Sequence, residues 1–102
     1  MAKRAVKYVI KHYAYWSPNG HSSHASTVTR TSDGKRISFT HDGDSNAESG
    51  LWEMVGKYPG VLSVGTTWLK CREYNEHVKG LPHFHGAGAE MAKQIRAAFR
   101  KA

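Results

Sequence analysis

The sequence predicts an α+β fold: an antiparallel sheet of about four strands, in the order β-β-β-α-β-α, with two helices packed on one face. Three observations carry this expectation. Apolar and polar residues alternate through much of the first forty positions. Ser45-Asn46-Ala47-Glu48 is a helix start signal ahead of an apolar stripe. A second stripe at helical spacing closes the chain. The 102 residues are enough for one modest core, so residues 1–102 are taken as a single basic α+β domain.

Residues 5–16 are rich in β-branched and aromatic side chains and read as the first strand. Val6, Tyr8, Ile10, His12, Ala14 and Trp16 share one face, the expected core side. Lys7, Val9, Lys11, Tyr13 and Tyr15 share the other, which is cationic and aromatic. Ser17-Pro18-Asn19-Gly20 marks a turn. Residues 25–31 and 36–41 read as a hairpin around a two-residue Asp33-Gly34 loop of type I′. That loop would pair Val28 with Phe39 and Arg30 with Ile37 on one face, and Thr27 with Thr40, Thr29 with Ser38 and Thr31 with Arg36 on the other.

Ser45 is the expected N-cap of the first helix, with Glu48 closing a capping box. Leu51, Met54, Val55 and Tyr58 follow on one side, and Pro59-Gly60 ends the helix. Gly50 predicts a weak helix that depends on packing. Residues 61–74 read as one strand, bulged at Gly65, with Cys71 a structural thiol within it. Lys79-Gly80-Leu81-Pro82 is a turn. The last helix, roughly 87–101, aligns Met91, Ile95, Ala98 and Phe99.

Charge is the strongest pointer to function. Fifteen Lys and Arg oppose eight Asp and Glu, a net +7, and the isoelectric point is about 9.8. Such a balance suits a polyanionic ligand. One cysteine excludes an intrachain disulfide and a cysteine-rich zinc site. No apolar run approaches the roughly 18 residues of a membrane span, and the basic start lacks a signal-peptide core, so a cytoplasmic protein is expected. No Walker motif, dinucleotide fingerprint, ribonucleoprotein motif, zinc finger or helix-turn-helix is present.

The expected function is binding of nucleic acid, RNA or DNA, or of a nucleotide. One candidate surface joins Lys7, Lys11, Tyr13 and Tyr15 with Lys70 and Arg72 on a later strand and Lys93, Arg96 and Arg100 on the last helix. A second is the loop His83-Phe84-His85-Gly86-Ala87-Gly88, whose backbone amides at a helix N-terminus suit an anion. Two alternatives stand beside binding. A His-dependent phosphodiesterase or nuclease would pair His83 or His85 with His41 or His12, with Lys79 or Arg72 steadying charge. A phage-type inhibitor would cover an acidic surface of a partner protein, with Trp16, Trp52 and Trp68 as anchors if exposed. The His21-x-x-His24 and His83-x-His85 pairs, with His41, Asp42 and Asp44, contain metal-ligand types. Nothing in their spacing fixes a site, so no metal and no cofactor are expected.

Overall fold

The computed structural model describes residues 6–56 and 60–102. β1 (Tyr8–Trp16), β2 (Ser22–Arg30) and β3 (Arg36–His41) follow one another as an antiparallel meander. Helix α1 (Asn46–Val55) then carries the chain across the sheet to β4 (Val61–Trp68), which lies parallel to β1. Helix α2 (Cys71–Val78) leads to β5 (His83–Phe84), a short strand parallel to β3, and α3 (Gly88–Lys101) ends the chain. The sheet order is β4-β1-β2-β3-β5.

The α+β class is as expected, but the sheet has five strands and is mixed rather than antiparallel. The cause is the two helical crossovers. A chain that crosses a sheet through a helix re-enters it running parallel to its neighbour. Both edges are therefore parallel pairs around an antiparallel centre.

α1 and α3 cover one face. Ile10, Val28 and Phe39 project there and pack on Leu51 of α1 and Met91, Ile95 and Phe99 of α3. The Phe84 ring stacks on Phe39 with centroids 4.4 Å apart and extends this core under β5. The third helix is on the other face, against the expectation of helices on one side only. Its His77 and Tyr74 lie on Tyr13 and Tyr15, at centroid distances of 4.1 and 6.0 Å.

α2 occupies residues expected to continue the fourth strand. Its signals are a local capping box and a polar composition. The Lys70 amide donates to Glu73 Oε1 at 2.9 Å, and Glu73-Tyr74-Asn75-Glu76 has little strand preference. Cys71, expected inside a strand, is exposed at the first residue of this helix. The bulge at Gly65 is present. The β1–β4 register shifts between Ile10 and His12, and Gly65 has φ +97°, a backbone open to glycine at little cost.

The hairpin register differs from the expected one by two residues. Val28 faces Ile37, and Ser26 faces Phe39. A type I′ turn needs positive φ at both central residues, and here only Gly34 has it. Asp33 instead uses its carboxylate, accepting from the Lys35 amide at 3.1 Å and from Arg30 Nη2 at 2.6 Å. The Arg30 guanidinium and that amide hold the Asp33 carboxyl down to about 2. A slip of two keeps every side chain on its predicted face, so the alternation survives although the partners change.

Ser45 is the N-cap of α1, but its side chain makes no cap hydrogen bond. Gly56, at φ +67°, ends the helix in the left-handed conformation. Tyr58 and Pro59, expected at this end, lie outside the described residues, as does the basic start Met1–Arg4. Gly50 is where α1 and α3 touch. A Cβ built there would stand 2.4 Å from Met91 Cγ and 3.1 Å from the Ala92 amide nitrogen. Gly50→Ala should therefore destabilise the domain, although alanine favours a helix by about 1 kcal/mol. Overpacking costs about 1–3 kcal/mol, so a net loss of about 1 kcal/mol is expected in a urea titration. A rise in the unfolding midpoint would contradict the close approach. Among the described residues no helix is long and apolar enough to cross a membrane.

Candidate functional site

Beyond the core, the α1/α3 face of the sheet turns polar. His12 of β1, His24 of β2 and His41 of β3 project from this face in a cluster, the direct result of strand register. Ala14 faces His24, and His24 faces His41. The rings lie in mutual contact, with centroids 5.1 Å (His12–His24), 6.0 Å (His24–His41) and 5.7 Å (His12–His41) apart. All three residues are buried.

Each ring is hydrogen-bonded. His12 Nε2 lies 2.9 Å from His24 Nδ1, His12 Nδ1 is 2.9 Å from Thr66 Oγ1, and His24 Nε2 is 2.8 Å from Ser22 Oγ. The result is a continuous Thr66–His12–His24–Ser22 chain. With one N–H on each ring, all its hydrogens can point either way along the row. His41 is fixed in one tautomer. Its Nδ1 faces the Gly43 carbonyl at 3.0 Å, and a carbonyl only accepts, so Nδ1 carries the hydrogen. The Ser26 hydroxyl then donates to Nε2 at 2.8 Å. Among the described residues no buried side-chain nitrogen or oxygen lacks a partner.

These rings are held neutral. Burial pushes His41 down to about 4, and the neighbouring His12 and His24 add to the shift. Burial lowers His12, again helped by His24, and burial lowers His24 against the opposing pull of Asp44 and Asp42. The row is thus a set of uncharged donors and acceptors at neutral pH.

A cleft of about 400 Å³ opens over this row, lined by His12, His24, Ser22, Thr66, Gly43 and Asp44 and walled by Trp16 and Trp68. Trp68 lies beside Ala14 in the β1–β4 register, and Trp16 is two residues further along β1, so both indoles belong to the histidine face. They are 59% and 61% exposed, unusual for large aromatic rings that are highly buried on average. An adjoining cavity of about 460 Å³ shares Ser22, His24 and Gly43 and reaches Thr40, His41, Asp42, Tyr74 and His83.

No family model, characterised protein or solved structure matches this chain.

The structure distributes the sequence-predicted residues over several places. Lys11 stays beside Tyr13, its Nζ 5.9 Å from the ring centre, but α2 lies over Tyr13 and Tyr15. These tyrosines therefore do not form the open stacking platform expected of them. Lys70 is the N-cap of α2 and Arg72 lies in its first turn, rather than on a strand. Arg96 and Arg100 meet Arg30, Tyr8 and Phe99 around a smaller cavity of about 220 Å³, and Lys93 is exposed elsewhere on α3. Lys7 precedes β1, where its amide donates to the Gly60 carbonyl at 2.8 Å.

The His-Gly loop is less free than expected. The Gly88 amide donates to Ser49 Oγ at 2.9 Å, and the His85 amide donates to Gln94 Oε1 at 3.0 Å. Gly86 and Gly88 both have positive φ, so they serve the turn. Of the proposed acid–base residues, His83 and His85 are neighbours with ring centroids 4.7 Å apart, whereas His41 has both nitrogens committed inside the fold.

Sequence reasoning missed the union of Trp16, Trp68, His12 and His24. One signal was present: Trp16 is in phase with His12 on the first strand. The other partners depend on register. With the type I′ turn, His24 falls opposite Gly43 instead of His41.

Proposed function

We propose that this protein binds single-stranded nucleic acid, seating a base in the Trp16–Trp68 cleft. The observation that carries the reading is the pair of exposed indoles flanking a floor of neutral histidines and hydroxyls. Indole faces stack on any base, for about 1–3 kcal/mol each. The Thr66–His12–His24–Ser22 chain offers donors or acceptors according to what it meets, because its hydrogens can reverse together. Thr66 and Ser22, its two ends, are exposed at the cleft.

Electrostatics divides the ligand. Asp44 on the cleft wall and Asp42 beside it disfavour a phosphate there, and they suit base amino groups or ribose hydroxyls. Lys70 and Arg72 are exposed two and four residues after Trp68, which supports them as partners of the flanking phosphates. The net charge of +7 supports association with a polyanion at long range. Single strands fit better than duplex, because a stacked and paired base does not present its face to a cleft.

The test is a titration of the protein with mixed-sequence single-stranded DNA and RNA oligonucleotides, followed by tryptophan emission. Quenching is expected, with a log–log salt slope of about −1.4, the value for two phosphates on a single strand. Absence of quenching, or an affinity indifferent to salt, contradicts the proposal.

A further inference from the structure

We propose that Asp42, His83 and His85 form a binding site for one divalent transition-metal ion of the zinc class. The three offer ligand atoms that all lie within 4.8 Å of one another, and they are the one such group among the described residues. His83 Nε2 and Asp42 Oδ1 are 3.5 Å apart. Zinc takes nitrogen and oxygen donors at about 2.0–2.2 Å, which separates neighbouring donors around a tetrahedral ion by roughly 3.4 Å. That pair already has the right span. The His85 ring closes the set with a shift on the order of 1 Å, well within side-chain freedom.

The surrounding bonds prepare His83 as a ligand. Its Nδ1 lies 2.7 Å from Thr40 Oγ1, and that hydroxyl also faces the Pro82 carbonyl at 3.4 Å. When the Thr40 hydrogen goes to the carbonyl, the oxygen accepts from His83 Nδ1–H. Nε2 is then left as a bare lone pair beside a carboxylate oxygen. In that tautomer a cation can sit between the two acceptors, and the nearby His85 imidazole offers it a third donor. An outer hydrogen bond that fixes the tautomer is the usual support of a metal-bound histidine.

The backbone is prepared too. Gln94 of α3 clamps the chain at His85, its Oε1 accepting from the His85 amide at 3.0 Å and its Nε2 donating to the His85 carbonyl at 2.7 Å. β5 holds His83 opposite Thr40 by register. Imidazole and carboxylate donors together suit zinc, nickel or cobalt better than calcium or magnesium. Three protein donors leave a fourth position for water or an anionic oxygen. His83 and Asp42 also line the cavity that adjoins the tryptophan cleft. The buried row does not compete, since His12 and His24 are bonded to each other through ring nitrogens. The inference is independent of the nucleic-acid reading.

Calorimetric titration of the full chain with zinc chloride, and with cobalt chloride followed by visible absorption, tests it. One ion per chain is expected. His85→Ala and Asp42→Asn should each weaken binding at least tenfold, and Thr40→Val by about tenfold through loss of the outer hydrogen bond. His21→Ala and His77→Ala, which alter exposed histidines outside the set, should leave it unchanged, and circular dichroism verifies the fold of every variant. No saturable uptake by the unaltered protein overturns the proposal. So does uptake that survives both His85→Ala and Asp42→Asn, or that falls equally in the two controls.

Discussion

Replacing Trp16 and Trp68 together by alanine is expected to cut affinity for single-stranded oligonucleotides at least thirtyfold. Each base–indole stack contributes about 1–3 kcal/mol, and the smaller figure taken twice already gives that factor. The fold should survive, because both side chains are more than half exposed and neither belongs to the core around Phe39 and Ile95. The salt dependence should survive as well, since no charge is removed. That combination separates loss of stacking from loss of the basic surface. Lys70→Ala with Arg72→Ala should do the reverse, flattening the salt slope and leaving tryptophan quenching at saturation intact. Unchanged affinity in the double tryptophan variant would remove the basis for the cleft.

Acid should destabilise this protein well above the range in which carboxylates titrate. In the unfolded chain a histidine takes a proton near pH 6.5, whereas burial holds His41 down to about 4. Between those values the unfolded state binds more protons, so stability is full above about pH 6.5 and falls as pH drops toward 4. His41 alone accounts for a loss of about 2 kcal/mol by pH 5 and about 3 kcal/mol by pH 4. His12 and His24 are lowered in the same direction and add to it. Asp33 is lowered as well, but its contribution is lost only on further acidification through about 2, so it does not blur the window. Urea midpoints at pH 7.5 and pH 5 measure the effect. His41→Gln should be less stable at pH 7.5 yet show a flatter pH dependence. A midpoint equal or higher at pH 5 would contradict a buried, neutral row.

The two tests probe one feature from opposite sides. A protein that only needed a core would fill these three positions with aliphatic residues. Three neutral imidazoles with their hydrogens satisfied cost acid stability, and in exchange they give the sheet a polar floor beneath two exposed indoles. Exposed rings over a hydrogen-bonding floor suit a planar ligand with polar edges.

Local signals made much of the fold legible in the sequence. Alternation in residues 6–16 correctly assigned Ile10, His12 and Ala14 to the buried face but not Trp16, which shares that face and stays exposed beyond the core, and the apolar stripe from Met91 to Phe99 correctly described α3. The bulge at Gly65 was readable because only glycine enters that backbone region cheaply. What escaped was non-local. Whether β4 and β5 run parallel or antiparallel to their neighbours depends on how the chain crosses the sheet, which no short window encodes. α2 was hidden because Leu69-Lys70-Cys71-Arg72 continues the texture of a strand, while its helical character begins only with Glu73. For the site, the basic residues were visible as a census but not as a surface, and Tyr13 and Tyr15 were spent on packing against the unforeseen helix. The histidine row depended on a register that the Asp33-Gly34 turn misstates by two residues.

Trp16, Trp68 and the His12–His24 pair together form the proposed ligand cleft. Its most direct measurement is a nitrogen–proton correlation spectrum of indole and imidazole side chains during titration with a short single-stranded oligonucleotide. The expected result is that the Trp16 and Trp68 indole signals and the His12 and His24 ring signals move together with one affinity. His21 and Trp52, which do not line the cleft, should stay in place. Binding that leaves the Trp16, Trp68, His12 and His24 signals in place would show that the anion sits elsewhere and would contradict the proposed cleft.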